Sequence, residues 1–258
     1  MHATRATQRP RPPVPDDDWA LFLDVDGCLL DFADAPDRVV VPLGLRERLF
    51  SLSRLLDGAV ALVSGRSLQT LDDLFWPLRL PAAGMHGVER RSRSRLVRAP
   101  KADLTLRRLC AEAGVLALQH PGAIVENKHA GFALHWRAAP AAEAALRAFA
   151  EAAVARLPNH RLQLGDHVAE VVPNGGDKGR AIEDFLAEAP FAGRFPVYAG
   201  DDLTDEAAFR AINARDGASV LVGGRGDSAA RFGLRDPAEV RAWLDMPAER
   251  RSVAQAGA

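Results

Sequence analysis

The sequence predicts an α/β fold, a doubly wound parallel sheet with a second, smaller α+β unit inserted into it, and three observations carry that expectation. Four segments, "ALFLDVDG", "AVALVSGRS", "FPVYAGDDLTD" and "ASVLVGGRG", are apolar runs that end in small or polar clusters and lead into helix-like stretches. That alternation marks a parallel sheet with helices on both faces. The middle of the chain breaks the rhythm, because two amphipathic stretches, around 103–118 and 139–157, bracket strand-like pieces. Finally, the polar ends of the apolar runs carry carboxylates, a hydroxyl and glycines, at the place where open parallel sheets bind ligands.

Composition narrows the class of protein. The 258 residues are 48% hydrophobic, enough for a sizeable core. A formal net charge of -1 gives no field for nucleic acid or an anionic membrane, so the expected partner is a small molecule bound at one site. The chain is expected to be a monomer. The two cysteines, Cys28 and Cys110, and the lack of a long apolar run argue against a disulfide framework and a membrane span, and point to the reducing cytoplasm.

Taken in order, the opening "MHATRATQRPRPPVPDDD" has no apolar core, so residues 1–18 are expected to be a disordered tail rather than a secretory signal. The sheet core is expected over 19–101 and 172–247. Its second strand leads into a helix with Ser67 as N-cap and Leu68, Leu71, Leu74 and Phe75 at helical spacing. Residues 102–171 form the insert, in which "GFALHWR" puts Phe132, Leu134 and Trp136 on one strand face and Ala133, His135 and Arg137 on the other. Asp177 is expected to cap a helix, and Asp236-Pro237 to start the last one. A second disordered tail is expected over 248–258.

The strand ends define a chemistry. Asp24 and Asp26 lie two apart on one side of a strand end, close enough to share a ligand. A carboxylate can attack a phosphoryl group to give an aspartyl phosphate, and a divalent cation offsets the repulsion between the two anions. Asp24 is therefore assigned as nucleophile and metal ligand. Asp26 is the general acid/base and is expected to offer its backbone carbonyl to the metal. Mg²⁺ suits this all-oxygen set. Ser64 and its neighbouring amides donate to phosphoryl oxygens, Gly65 permits close approach, and Lys178 sets a fixed positive charge in the first turn of its helix. Asp201 is the third metal ligand, with Asp202 and Asp205 orienting metal-bound water and Lys178. Arg66 and His86 are assigned to phosphate or sugar contact. The run "RRSRSR" at 90–95 reads as a solvated hairpin.

In that order, "DVDG", "SGR", "KG" and "GDDLTD" resemble the four motifs of the haloacid dehalogenase superfamily of phosphotransferases. An insert between the serine and lysine motifs is similar to its C2-type cap on a Rossmann-like core. Across residues 20 to 245, "GMHGVERR", "VENK", "FALHWR", "AEVVPNGGDKG" and "GDDLTDE" resemble the bacterial trehalose-6-phosphate phosphatases. Cys28 stands where that family usually carries threonine. The resemblance implies Mg²⁺-dependent hydrolysis of trehalose 6-phosphate, the last step of trehalose biosynthesis. It adds Gly87, His135, Arg137 and Asn174 to the substrate-binding residues. Glu126 and Lys128, two apart in "IVENK", and Glu170, which interrupts the apolar "VAEVV", match positions that grip the distal glucose in that family. The alternatives are another sugar-phosphate phosphatase or phosphomutase of the superfamily (sucrose-phosphatase or phosphomannomutase-like), a receiver-type signalling domain, and an inert sugar-phosphate sensor.

Overall fold

Five consecutive buried residues, Trp19–Leu23, form β1. The computed structural model, which describes residues 9–33 and 38–245, places this strand in the interior of an eight-stranded sheet. Burial on both faces is why it reads as an unbroken apolar run. On one side β1 is followed by β2 (Val60–Val63) and β3 (Ala82–Gly84), both parallel to it. An antiparallel hairpin, β4 (Glu89–Arg91) and β5 (Leu96–Val97), extends that edge over the arginine-rich run.

The small sheet comes next in the chain, with β6 (Ile124–Asn127), β7 (Phe132–His135), β8 (His160–Gly165) and β9 (Val168–Pro173) in the antiparallel order β6-β7-β9-β8. The chain then returns to the large sheet as β10 (Phe195–Gly200), beside β1, followed outward by β11 (Ala218–Val222) and β12 (Phe232–Leu234), all parallel.

Helices α1 (Leu45–Leu55), α2 (Leu68–Phe75), α5 (Lys178–Leu186), α6 (Glu206–Asn213) and α7 (Pro237–Trp243) belong to the large unit, and α3 (Leu104–Ala117) and α4 (Glu143–Ala155) to the small one. Among the described residues four α-helix starts rest on side-chain caps, since Ser67, Asp103, Asp177 and Asp236 accept from the amides of Thr70, Leu106, Arg180 and Glu239. Phe132, Leu134 and Trp136 join Leu109 and Leu146 in a hydrophobic cluster distinct from that of the large sheet. The opposite face of the small sheet carries a transverse row, Glu126, Ala133, Glu170 and Gln163, fixed by strand register.

The tail expected over 1–18 is corrected from Arg9 onward. Gly233 N–H donates to the Pro10 carbonyl at 3.0 Å and Trp243 Nε1 to that of Pro13 at 2.8 Å, while Pro12 and Pro15 are buried. Prolines hold the segment extended at little entropic cost and leave its carbonyls free to accept. Residues 1–8 and the expected tail at 248–258 lie outside the described residues. Among the described residues no helix is long and apolar enough to cross a membrane.

Candidate active site

The carboxyl ends of β1, β2 and β10 open on one cleft of about 580 Å³, closed from above by the polar face of the small sheet. That volume is in the range of small-ligand sites. Asp24, Asp26, Ser64, Gly65, Arg66, His86, Glu126, Lys128, His135, Arg137, Glu170, Lys178, Asp201 and Asp202 all line it.

At its floor, Lys178 Nζ lies 3.1 Å from Asp24 Oδ1 and 2.6 Å from Asp205 Oδ1. Burial alone would depress the lysine, but Asp205 and Asp24 outweigh it and hold the ammonium well above its usual range. Burial, opposed by Lys178 and reinforced by Asp205 and Asp26, raises Asp24 to about 7. Burial and the neighbouring Asp24 raise Asp201 to about 9. Gly27 makes this crowding attainable: its φ of 74° turns the chain after Asp26, and a side chain there would collide with the Asp201 carboxylate.

Carboxylate oxygens of Asp24, Asp201 and Asp205 all lie within 4.8 Å of one another. Asp205 is fully buried and already occupied: Oδ1 accepts from Lys178 and from the Tyr198 hydroxyl at 2.5 Å, and Oδ2 from the Asp202 amide at 2.9 Å. Asp24 shares Lys178 with Asp205, and Asp201 has no ion-pair partner among the described residues, so these two carboxylates are the members of the cluster left open to a further cation. An oxygen-only pair of anions beside a single lysine fits a hard divalent cation.

Asp26 is gripped by Arg66, whose Nε and Nη2 donate to its two oxygens at 2.7 and 2.8 Å. Ser64 Oγ accepts from the Arg66 amide at 3.1 Å, which fixes the turn after β2. Gly65 leaves room for the imidazole of His86, which a Cβ there would approach to 2.7 Å.

The roof is a connected polar network. Lys128 Nζ pairs with Glu170 and donates to the Gly65 carbonyl at 3.1 Å. His86 Nε2 lies 2.7 Å from both Glu170 Oε2 and Gln163 Nε2, and Gln163 Nε2 donates to the same Glu170 oxygen at 3.2 Å. Burial would raise Glu170, but Lys128 and His86 outweigh it and hold the carboxyl well below its usual range. Burial lowers His86, which keeps the ring neutral, and its Nδ1 is buried with no protein partner. His135 Nε2 donates to Glu126 at 3.0 Å. Arg137 pairs with Asp166 at 2.8 Å and lies 5.1 Å over the ring of Phe32 from the large unit.

Gly87 and Asn174 are not brought to the cleft. Gly87 packs against the Asp177 carbonyl. Asn174 is exposed, and its amide donates to the Pro158 carbonyl at 3.2 Å where β9 leaves the small sheet. Sequence reasoning missed Gln163 and Tyr198. Gln163 is a polar residue between Leu162 and Leu164, a legible signal, whereas Tyr198 reads as ordinary core within an apolar strand.

Known proteins resemble this chain over most of its length. The trehalose-phosphatase family model matches residues 22–236. The chain is 42% identical over 231 residues to the trehalose-6-phosphate phosphatase of Escherichia coli K12, covering 88% of this chain and 86% of that protein. It is 43% identical over 208 residues to a probable trehalose-phosphate phosphatase of Sinorhizobium fredii, covering 80% and 78%. A crystal structure of a trehalose-6-phosphate phosphatase related protein superposes with a TM-score of 0.72 at 27% identity, covering 87% of this chain and 94% of that one. This chain belongs to the trehalose-phosphatase family.

Proposed function

We propose that this chain hydrolyses trehalose 6-phosphate to trehalose and inorganic phosphate through an aspartyl phosphate on Asp24, with Mg²⁺ as cofactor, as a cytoplasmic monomer. The observation that carries the reading is the pairing of a phosphotransfer floor, Asp24 with Lys178, and a hydroxyl-reading roof, Glu170 with Lys128, in one cleft. The residues 102–171 act as the cap that closes over the sugar.

Asp24 and Asp201 would hold the cation together with the Asp26 carbonyl. When bound, Mg²⁺ supplies positive charge that ionises Asp24 and withdraws electrons from the phosphoryl oxygens. Lys178, Ser64 and the amides beside it hold the phosphoryl group in line with Asp24. The Asp24 oxygen bonds to phosphorus as the bond to the sugar oxygen breaks, and Asp26 gives that oxygen a proton. Asp26 then takes a proton from the water that cleaves the acyl phosphate. In the structure Arg66 pairs with both oxygens of Asp26; an arriving phosphoryl group competes for Arg66 and releases Asp26 toward the leaving oxygen. Above, Glu126 and Glu170 accept from sugar hydroxyls and Lys128 donates.

The test is phosphate release over a panel of sugar phosphates with and without EDTA. Trehalose 6-phosphate should lead the panel, chelation should stop turnover, and Asp24→Asn should abolish it. Preference for a different sugar phosphate, or turnover of Asp24→Asn within tenfold of the parent enzyme, would overturn the assignment.

A further inference from the structure

The loop between β11 and β12, residues 223–230, forms one wall of the cleft through Gly223, Gly224 and Arg225. It has no helix or ladder to satisfy its carbonyls. The side chain of Arg9 does much of that from the other end of the chain. Its Nε donates to the Ala230 carbonyl at 3.0 Å, Nη1 to that of Arg225 at 3.2 Å, and Nη2 to those of Gly226 at 2.9 Å and Ser228 at 3.3 Å. A planar guanidinium carries five donors in a rigid fork, so it can hold several carbonyls in one fixed arrangement, which an ammonium cannot. The neighbouring backbone is pinned as well, through the bond from Gly233 N–H to the Pro10 carbonyl.

The same loop grips the acidic turn. Arg225 Nη2 donates to Glu206 at 2.5 Å and to the Asp202 carbonyl at 3.2 Å, and the Ala229 amide donates to Glu206 at 2.9 Å. Asp202 is the residue after Asp201, so Arg225, together with the Asp205 carboxylate that accepts from the Asp202 amide, holds the turn that carries Asp201. A path of hydrogen bonds therefore runs from Arg9 through the loop to the backbone carbonyl of Asp202, the residue after Asp201.

We propose that Arg9 is a positioning residue for this site: it sets the shape of loop 223–230, through which Arg225 fixes Asp202 and hence Asp201. The inference rests on the assignment of Asp201 as a metal ligand. It gives the proline-rich start of the chain a part in catalysis although it lies outside the cleft.

The test compares Arg9→Ala and Arg9→Lys with the parent protein and with Arg11→Ala, whose side chain pairs with Glu239. In Arg9→Ala, amide hydrogen exchange over 224–230 should quicken about tenfold or more and trypsin should cleave after Arg225. The Mg²⁺ concentration giving half of the full rise in melting temperature should increase about three- to tenfold, and kcat should fall by a similar factor with KM for trehalose 6-phosphate within about twofold. Arg9→Lys should fall between, added guanidinium should restore loop protection in Arg9→Ala, and Arg11→Ala should match the parent. Unchanged exchange over 224–230 would overturn the proposal, as would a loosened loop with an unchanged Mg²⁺ midpoint. A parent protein inactive on trehalose 6-phosphate would refute the substrate instead, and the exchange and Mg²⁺ readings would still decide the role of Arg9. If Arg9→Ala fails to fold, the same readings on Arg9→Lys decide it.

Discussion

Lys128 of the small unit donates from Nζ to the carbonyl oxygen of Gly65, 3.1 Å away in the phosphate-facing turn of the large unit. The side chain proposed to read the sugar is thus registered against the turn proposed to hold the phosphoryl group. Glu170 completes the link by holding Lys128 and His86 at once.

Replacing Glu170 tests whether this roof confers specificity. Alanine would strand two buried partners, at a stability cost of about 3–5 kcal/mol, so Glu170→Gln is the cleaner variant. It should lower kcat/KM for trehalose 6-phosphate about 10²-fold, the scale of a lost charged hydrogen bond, and spare p-nitrophenyl phosphate. Equal losses on the two substrates, in parallel steady-state assays, would remove the roof from specificity.

Asp26 is assigned proton transfer, worth about 10² to 10⁴ in rate. Asp26→Asn should therefore impair a sugar leaving group far more than p-nitrophenolate, which departs without a proton. Single-turnover assays on the two esters measure the split, and a matching loss on both would reassign Asp26 to binding.

The crowded floor ties stability to pH. In the metal-free protein Asp24 and Asp201 titrate above their unfolded value of 3.8, so their contribution is full below that value and is lost as pH rises through about 7 and about 9. Melting temperature without metal should fall across that window, and the rise produced by Mg²⁺ should grow with pH. Differential scanning calorimetry with EDTA or Mg²⁺ checks both trends; a Mg²⁺ effect independent of pH would contradict them.

Tyr198 supports Asp205 from inside the core with a 2.5 Å hydrogen bond, and both residues are fully buried. Tyr198→Phe removes a donor from a buried carboxylate and should cost about 1–3 kcal/mol in urea denaturation. Because Lys178 still pairs with Asp205, turnover should drop less than tenfold. A neutral effect on stability would mean that Lys178 alone satisfies Asp205.

The floor of the site was legible because its signals are local. Asp24 with Asp26, Ser64 with Gly65, and Asp201 with Asp202 are each read from a few adjacent residues, and the rule that parallel strands bind ligands at their carboxyl ends gathers them. The roof depends on register between distant strands. Glu170 could be flagged from "VAEVV", but its neighbour Gln163 is placed by the β8–β9 pairing, which no local pattern specifies. Asn174 sits four residues before Lys178 in sequence, yet it faces the exit from the small sheet. The proline-rich start reads as tail by composition, because what orders it is its carbonyls and the Arg9 side chain, neither of which registers as hydrophobic pattern.

The order of strands in the large sheet also bears on how the protein is made. β1 pairs on one side with β2, about forty residues later, but on the other with β10, where Trp19 faces Phe195. During synthesis the half-sheet of β1, β2 and β3 therefore waits with an apolar edge unpaired while the whole small unit emerges, and unpaired apolar edges invite association between nascent chains. The buried cluster of the small unit lies entirely between Leu106 and Val171, so that unit has all its core residues before β10 exists. Lys178 and Asp201 follow it in the chain, so the phosphotransfer site assembles only after the unit that covers it has been translated.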